Sequence, residues 1–414
     1  MQYPRAHPHS RAHPHSYAHT HSYARLRSLS FWCSRSAWRS RSAWGSPARG
    51  RSAPIAAVAL IAVLTAISSC TSSSSTPKSA ATASGAAVSA VRISGAGSTF
   101  DAPFFNQALP AYEAAHPGVA VSYAAVGSGS GISRFTAGQT GFGATDVPAS
   151  AADLAGAHGG PAVQVPVDLG AAAVAYNVLT HSSAPLKLTG PVLAEIYLGQ
   201  ITKWDDPAIT ALNPGAELPD AYINVVHRAD GSGDTYIFSD FLSAVSPAWA
   251  GKVGKGLKLN WPVGYGADGN AGVVKEINRI PDSIGYVEVS YTAGTYFGIA
   301  AIRNQAGKYV TPTPAAIAAD AAGKPSVTPG SFSIVNQPGA NSYPLSSYSW
   351  VLISTRQPSK QTGNALVALV SWLTHTGQSY AAQLGYVPLP SAIQHEAATT
   401  LASVTGPGGT PLTG

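Results

Sequence analysis

From residue 91 onward, short apolar runs alternate with helical stretches and glycine-rich turns, and that alternation predicts the fold. Residues 91–94 read as a strand ended by a glycine turn, and 104–116 as a helix. A strand at 119–126 runs into Gly-Ser-Gly-Ser-Gly, and a helix over 132–137 follows. Residues 163–167 and 172–178 read as strands, and 191–197 as a short helix with proline in its first turn. The strand at 223–226 leads into His227-Arg228-Ala229-Asp230-Gly231-Ser232-Gly233, after which 235–242 is helical. Strands at 283–289 and 348–353 and an amphipathic helix at 365–375 complete the pattern. Such alternation predicts an α/β fold with layered, mainly parallel sheets. There is no internal repeat of solenoid period.

The first ninety residues follow a different pattern. Residues 55–67 form a run of 13 with low polarity, whereas spanning a bilayer takes about 20. Arg49 and Arg51 precede the run, and small residues ending in Cys70 follow it. This charged, apolar, small-residue order is that of an export signal. Ile67-Ser68-Ser69-Cys70 resembles a bacterial lipobox, which implies lipidation of Cys70 and anchoring to the outer face of the cytoplasmic membrane. The other reading is an ordinary signal peptide with an incidental cysteine. Residues 71–90 are rich in Ser, Thr and Ala and read as a flexible tether. Residues 1–48 repeat Arg-Ala-His-Pro-His-Ser and hold six of the twelve histidines. They read as an extended signal region or as the product of a start codon assigned too early, more than as a metal-binding tract, and are expected to be absent from the mature protein.

Charge follows the same division. Nine arginines, no lysine and no acid lie in residues 1–70, so 16 basic and 19 acidic residues remain, a net charge of about −3. The overall +6 therefore belongs to the N-terminal segment and does not indicate nucleic-acid binding. Cys33 and Cys70 form no disulfide framework or zinc motif. At 414 residues, the chain is long enough for two domains.

Three junctions share one design, in which a strand ends, a turn of Gly, Ser and Thr follows, and a helix starts. They are Gly95-Ala96-Gly97-Ser98-Thr99-Phe100, then residues 127–131, then Asp230-Gly231-Ser232-Gly233-Asp234-Thr235. A helix start exposes unpaired N–H groups and the positive end of its dipole, so it favours an anion. Each turn by itself could be an ordinary helix cap. Three of them, with Arg228 beside the third, point to a small oxyanion. The spacing at 127–131 does not fit a dinucleotide fingerprint. There is no P-loop or nucleophile elbow, and no His/Asp/Glu spacing suggests a metal site. His227 reads as a strand-end residue.

The glycine-turn motif at 95–100 with Ala102-Pro103, the run 141–146, the run 196–206 and the runs 228–233 and 284–288 occur in an order that resembles the periplasmic phosphate-binding proteins of the ABC phosphate transporter. The resemblance covers residues 93–393 and implies a two-lobed periplasmic-binding-protein fold of type II, each lobe a mixed sheet flanked by helices, with the ligand in the cleft. It implies lobe 1 at 91–170 and 291–400, lobe 2 at 171–290 and a tail at 401–414. It also implies a monomeric, non-enzymatic receptor that delivers inorganic phosphate to ABC permease subunits, with no cofactor, metal or nucleic acid. By resemblance, Thr99, Phe100, Ser128, Asp146, Arg228, Ser232, Gly233 and Asp234 meet the phosphate. Ser98 and Asp230 support them, with Asp230 orienting Arg228. Asp146 is an acceptor and would admit only an oxyanion that carries a proton, which phosphate does and sulfate does not. Asp234 stands where many members have threonine. It is expected to accept a second proton, to favour the monobasic ion, or to turn away as a cap. The alternatives are a receptor for another oxyanion, a secreted phosphate-ester hydrolase, and a sensor or adhesion lipoprotein on the same fold.

Overall fold

The computed structural model describes residues 90–413. The predicted signal segment, Cys70 and the tether lie outside them. Twelve strands are described: β1 (Val91–Gly97), β2 (Val119–Ala125), β3 (Phe142–Thr145), β4 (Ala162–Asn177), β5 (Lys187–Leu188), β6 (Asn224–Arg228), β7 (Tyr265–Ala267), β8 (Ser283–Glu288), β9 (Gly298–Ile299), β10 (Ala301–Arg303), β11 (Tyr309–Val310) and β12 (Ser346–Ser354). Nine belong to one sheet with the path β2-β1-β3-β12-β4-β8-β6-β7, and β9 pairs with β4 beside that path. The other three form a small sheet, β11-β10-β5.

The sheet is mixed, although the sequence predicted mainly parallel strands. β1 is parallel to β2 and β3, and β6 is parallel to β7 and β8. Through the centre, β12 is antiparallel to β3 and β4, and β4 is antiparallel to β8.

β4 links the two halves of this sheet. Up to Ala171 it pairs with β12, and from Ala172 it pairs with β8. The sequence suggested two strands here because Asp168 and Gly170 interrupt the apolar run. The strand continues because both residues are buried against neighbours. The Phe100 ring fills the place of a Gly170 side chain, 2.7 Å from where a Cβ would stand. A strand covered on both faces reads as a continuous apolar run, as 171–176 does.

Helices follow the strands that end in glycine turns. α1 (Ala102–Ala115) starts after β1 with Pro103 in its first turn, and α2 (Ser128–Thr136) starts after β2. α2 begins four residues earlier than expected, because the Gly/Ser run is its own first turn behind Gly127 at φ +86°. The short α3 (Ala151–Ala155), α4 (Gly190–Tyr197) and α5 (Pro207–Thr210) are capped by Ser150, Thr189 and Asp206. α6 (Gly233–Val245) starts after β6 and is capped by the Ser232 hydroxyl, which accepts from Thr235 N at 3.3 Å. The predicted amphipathic helix spans Lys360–Thr374 and buries Leu366, Leu369, Val370 and Leu373 against the sheet. Among the described residues, no helix is long and apolar enough to cross a membrane. β9 and β10 pair back onto β4 and β5, so residues 298–303 side with the half built around β8.

Candidate anion-binding site

The three glycine turns converge at the ends of β1, β2 and β6. Gly129 N donates to Gly231 O at 2.9 Å across the two halves. A side chain on Gly127 would stand 2.3 Å from Asp230 Oδ2, so glycine is required for this approach. Ser98, Thr99, Phe100, Ser128, Asp146, Arg228, Ser232, Gly233 and Asp234 are all brought together here and are all buried.

Arg228 sits at the centre, with 2% of its surface exposed. Its Nε donates to Asp230 Oδ1 at 2.7 Å and its Nη2 to Asp230 Oδ2 at 2.5 Å. Nη1 donates to Asp234 Oδ2 at 2.7 Å. A guanidinium has five N–H donors, so these three bonds leave two for a ligand. The backbone N–H of Arg228 donates to Tyr286 Oη at 3.1 Å and fixes the strand end. Burial lowers the Arg228 pKa, but the bonds to Asp230 and the charges of Asp234 and Asp230 outweigh it, and the cation is held firmly. Burial raises Asp230, yet the Arg228 contacts bring it below the ordinary carboxylate range.

Asp146 meets the third turn from the end of β3, next to Ser128 and Gly233. Its Oδ2 accepts from Ser128 Oγ at 3.1 Å and its Oδ1 from Ser349 Oγ at 3.0 Å. Ser128 Oγ in turn accepts from Gly233 N at 3.2 Å. A Cβ on Gly233 would stand 2.2 Å from Asp146 Oδ2. Burial pushes Asp146 well above its usual range, and Asp101 and Asp234 add to the rise. Asp146 is thus an acceptor under strong pressure to meet a proton.

Several expected anion donors bond to one another in this structure. Phe100 N donates to Ser98 Oγ at 2.8 Å, and Gly233 N to Ser128 Oγ. Thr99 Oγ1 accepts from Asn270 Nδ2 at 3.1 Å, which leaves its own proton to donate elsewhere. Asp234 does not turn away. Its Oδ2 takes Arg228 and, at 2.9 Å, Asn270 Nδ2, while its buried Oδ1 has no partner. Burial raises Asp234 despite the opposing pull of Arg228 and Asn270.

Sequence reasoning missed Asn270, Ser349 and Tyr286. Asn270 spans the halves by holding both Thr99 and Asp234. Ser349 positions Asp146, and Tyr286 accepts from Arg228 N while its hydroxyl meets Thr235 Oγ1 at 2.6 Å. Tyr286 lies in the run 284–288 and Ser349 in the strand predicted at 348–353, while the stretch holding Asn270 carries no predicted element, so only the fold brings the three to the site. Among the described residues, no group of three or more His, Cys, Asp or Glu side chains is arranged to hold a metal ion.

Residues 75–375 match the family model of the PBP superfamily domain. The chain is 38% identical over 303 residues to the phosphate-binding protein PstS of Xylella fastidiosa (strain Temecula1), covering 73% of this chain and 82% of that one. It is 35% identical over 328 residues to the phosphate-binding protein PstS3 of Mycobacterium bovis (strain BCG), covering 75% and 86%. In shape it is similar to a human phosphate binding apolipoprotein, with a TM-score of 0.62 at 18% identity, covering 78% of this chain and 100% of that one. It is also similar to a phosphate-binding protein from Stenotrophomonas maltophilia, with a TM-score of 0.59 at 17% identity, covering 74% and 93%. The two structural likenesses speak to the fold, and the family rests on the matched domain and the sequence identity: the chain belongs to the PBP superfamily and, within it, to the PstS family of phosphate-binding proteins.

Proposed function

We propose that the chain captures inorganic phosphate outside the cytoplasmic membrane and delivers it to an ABC phosphate importer, without chemical turnover. The observation that carries this reading is the buried Arg228 fork, with two N–H groups to spare, beside the acceptor Asp146. A planar fork suits a tetrahedral oxyanion. The names of the relatives, all phosphate-binding proteins, support the same ligand.

A bound phosphate takes over contacts that the site residues now make with each other. Thr99 and Ser128 turn their hydroxyls to it, Arg228 gives two N–H groups, and the first turn of α6 gives the N–H of Gly233. Asp146 accepts from a phosphate hydroxyl, and the unpartnered Oδ1 of Asp234 accepts from a second. The two lobes meet at β4 and at the return crossing after β8. Hinge motion there opens and closes the site. The closed monomer docks on the permease.

Cys70 carries the lipid, and residues 71–90 tether the fold to the membrane. Mass spectrometry and membrane fractionation test this. Cys70→Ser should free the protein into the medium, and an unchanged membrane fraction refutes the anchor. For the ligand, the test is calorimetry of residues 91–414 with phosphate, arsenate and sulfate at two pH values. Absence of phosphate binding overturns the function, and equal binding of sulfate overturns the role of Asp146.

A further inference from the structure

Two fully buried carboxyls stand behind the site. Asp101 occupies the N-cap position of α1, yet its side chain caps no helix N–H. Asp168 lies on β4 directly across from Ser349 on β12. In that antiparallel register, paired side chains stand about 5 Å apart on one face. No N–H group donates to any of the four carboxyl oxygens, and the one hydroxyl within reach of Asp101 is that of Ser349. The two carboxyls face each other.

Two ionised carboxylates in such contact would lose hydration and repel each other, and buried groups of this kind keep a proton instead. One proton between them gives a donor and an acceptor, and the pair satisfies itself. Burial pushes Asp101 well above the ordinary range and Asp168 pushes it further. Burial also raises Asp168.

We propose that Asp101 and Asp168 share one proton and act through Ser349 on Asp146, as a positioning pair that makes the site select an oxyanion arriving protonated. The proposal rests on phosphate being the ligand. Ser349 is the link, since it sits across from Asp168 and donates to Asp146 Oδ1. The pair keeps one negative charge behind Asp146. The titratable groups around it are Asp146 after β3, Asp234 on α6, Glu288 at the end of β8, Tyr123 on β2, and Tyr291 and Tyr386. The cation of the cluster, Arg228, is already shared between Asp230 and Asp234. A dibasic phosphate entering here takes up one proton from solvent. A monobasic phosphate takes up none and keeps its two hydroxyls for Asp146 and Asp234.

The test is calorimetric titration of the mature chain with phosphate between about pH 6 and about pH 8, in two buffers of different ionisation enthalpy, repeated with Asp101→Asn and Asp168→Asn. The parent should bind on the order of tenfold more weakly at the alkaline end, with proton uptake there. Each asparagine keeps the size of the side chain and leaves a single buried carboxyl, which burial holds neutral. The pH dependence should then flatten to about threefold or less, and sulfate binding should rise by about tenfold. Folded asparagine variants that keep the parent's slope and its rejection of sulfate overturn the proposal. If the variants do not fold, the parent alone decides, and pH-independent affinity without proton uptake overturns it. Failure to bind phosphate at any pH is a different result and refutes the ligand itself.

Discussion

Replacing Gly233 with alanine separates closure of the site from folding. Gly233 is the first residue of α6 and is not among the residues with positive φ, so an alanine fits its backbone. Helix propensity favours the change by up to about 1 kcal/mol. The added Cβ would stand 2.2 Å from Asp146 Oδ2, 2.3 Å from its Cβ and 2.6 Å from its Cγ. Side-chain carbons do not come that close, so Asp146 or the first turn of α6 must retreat by about 1 Å. Overpacking of this kind costs about 1–3 kcal/mol. At about 1.4 kcal/mol per tenfold, phosphate affinity should fall between about fivefold and about 150-fold. The two residues belong to turns after β3 and β6, in different halves of the sheet, so the clash opposes closure and leaves each half intact. Thermal melts should therefore hold or rise while calorimetry shows weaker binding. A variant that melts like the parent and binds phosphate within about twofold of it refutes the argument, because Asp146 and Gly233 would then not approach on binding.

Other substitutions address single contacts. Asp146→Asn replaces an acceptor oxygen with an amide donor and should weaken phosphate more than sulfate in parallel titrations; an equal effect on both contradicts its role. Arg228→Ala strips Asp230 and Asp234 of their counter-ion and should cost a few kcal/mol of phosphate affinity; unchanged affinity would place the site elsewhere. Asp320 is buried, with Gln337 N donating to Oδ1 at 3.1 Å, and burial pushes it up to about 8. Its folded pKa lies above the unfolded value of 3.8, so its contribution to stability is complete below that value and is lost as pH rises through about 8. Asp320→Asn should flatten the fall in melting temperature between about pH 5 and about pH 8, and a slope like the parent's contradicts this.

Much of this fold is legible in the sequence because its strands and helices are short, and each is punctuated by Gly, Ser or Pro. The helix over Gly190–Tyr197 begins within one residue of its expected start because Thr189 and Pro191 mark it chemically. The misreadings share one cause: partners that are distant in sequence. β4 looked like two strands because a buried Asp168 and a Gly170 resemble a break, and only Phe100 and Ser349 explain why the strand continues. The strand directions across the centre were equally hidden, since period and composition do not tell β12 which way to run. In the site, the glycine turns and Arg228 announce themselves. Asn270 and Ser349 do not, because a helix-start asparagine and a strand serine are ordinary until the sheet brings them to Asp234 and Asp146.

The place of Asp234 decides what kind of phosphate receptor this geometry describes. A capping residue would have left Asp146 as the single acceptor facing the ligand. Instead Asp234 Oδ2 is committed to Arg228 and Asn270, which hold the carboxyl in place, and Oδ1 is left buried and unpartnered. The site therefore presents two acceptors, and a ligand satisfies both only if it brings two hydroxyls. Leaving one buried acceptor unmet costs about 1–3 kcal/mol, so sulfate, with no proton to offer, is penalised twice, by about 2–6 kcal/mol. Dibasic phosphate is penalised once unless it gains a proton on entry. Monobasic phosphate meets both acceptors and still has two oxygens for the Arg228 fork. On the roles proposed for Asp146 and Asp234, the second carboxylate, which at first looks hostile to an anion, makes the number of protons on the anion the quantity that this site would measure.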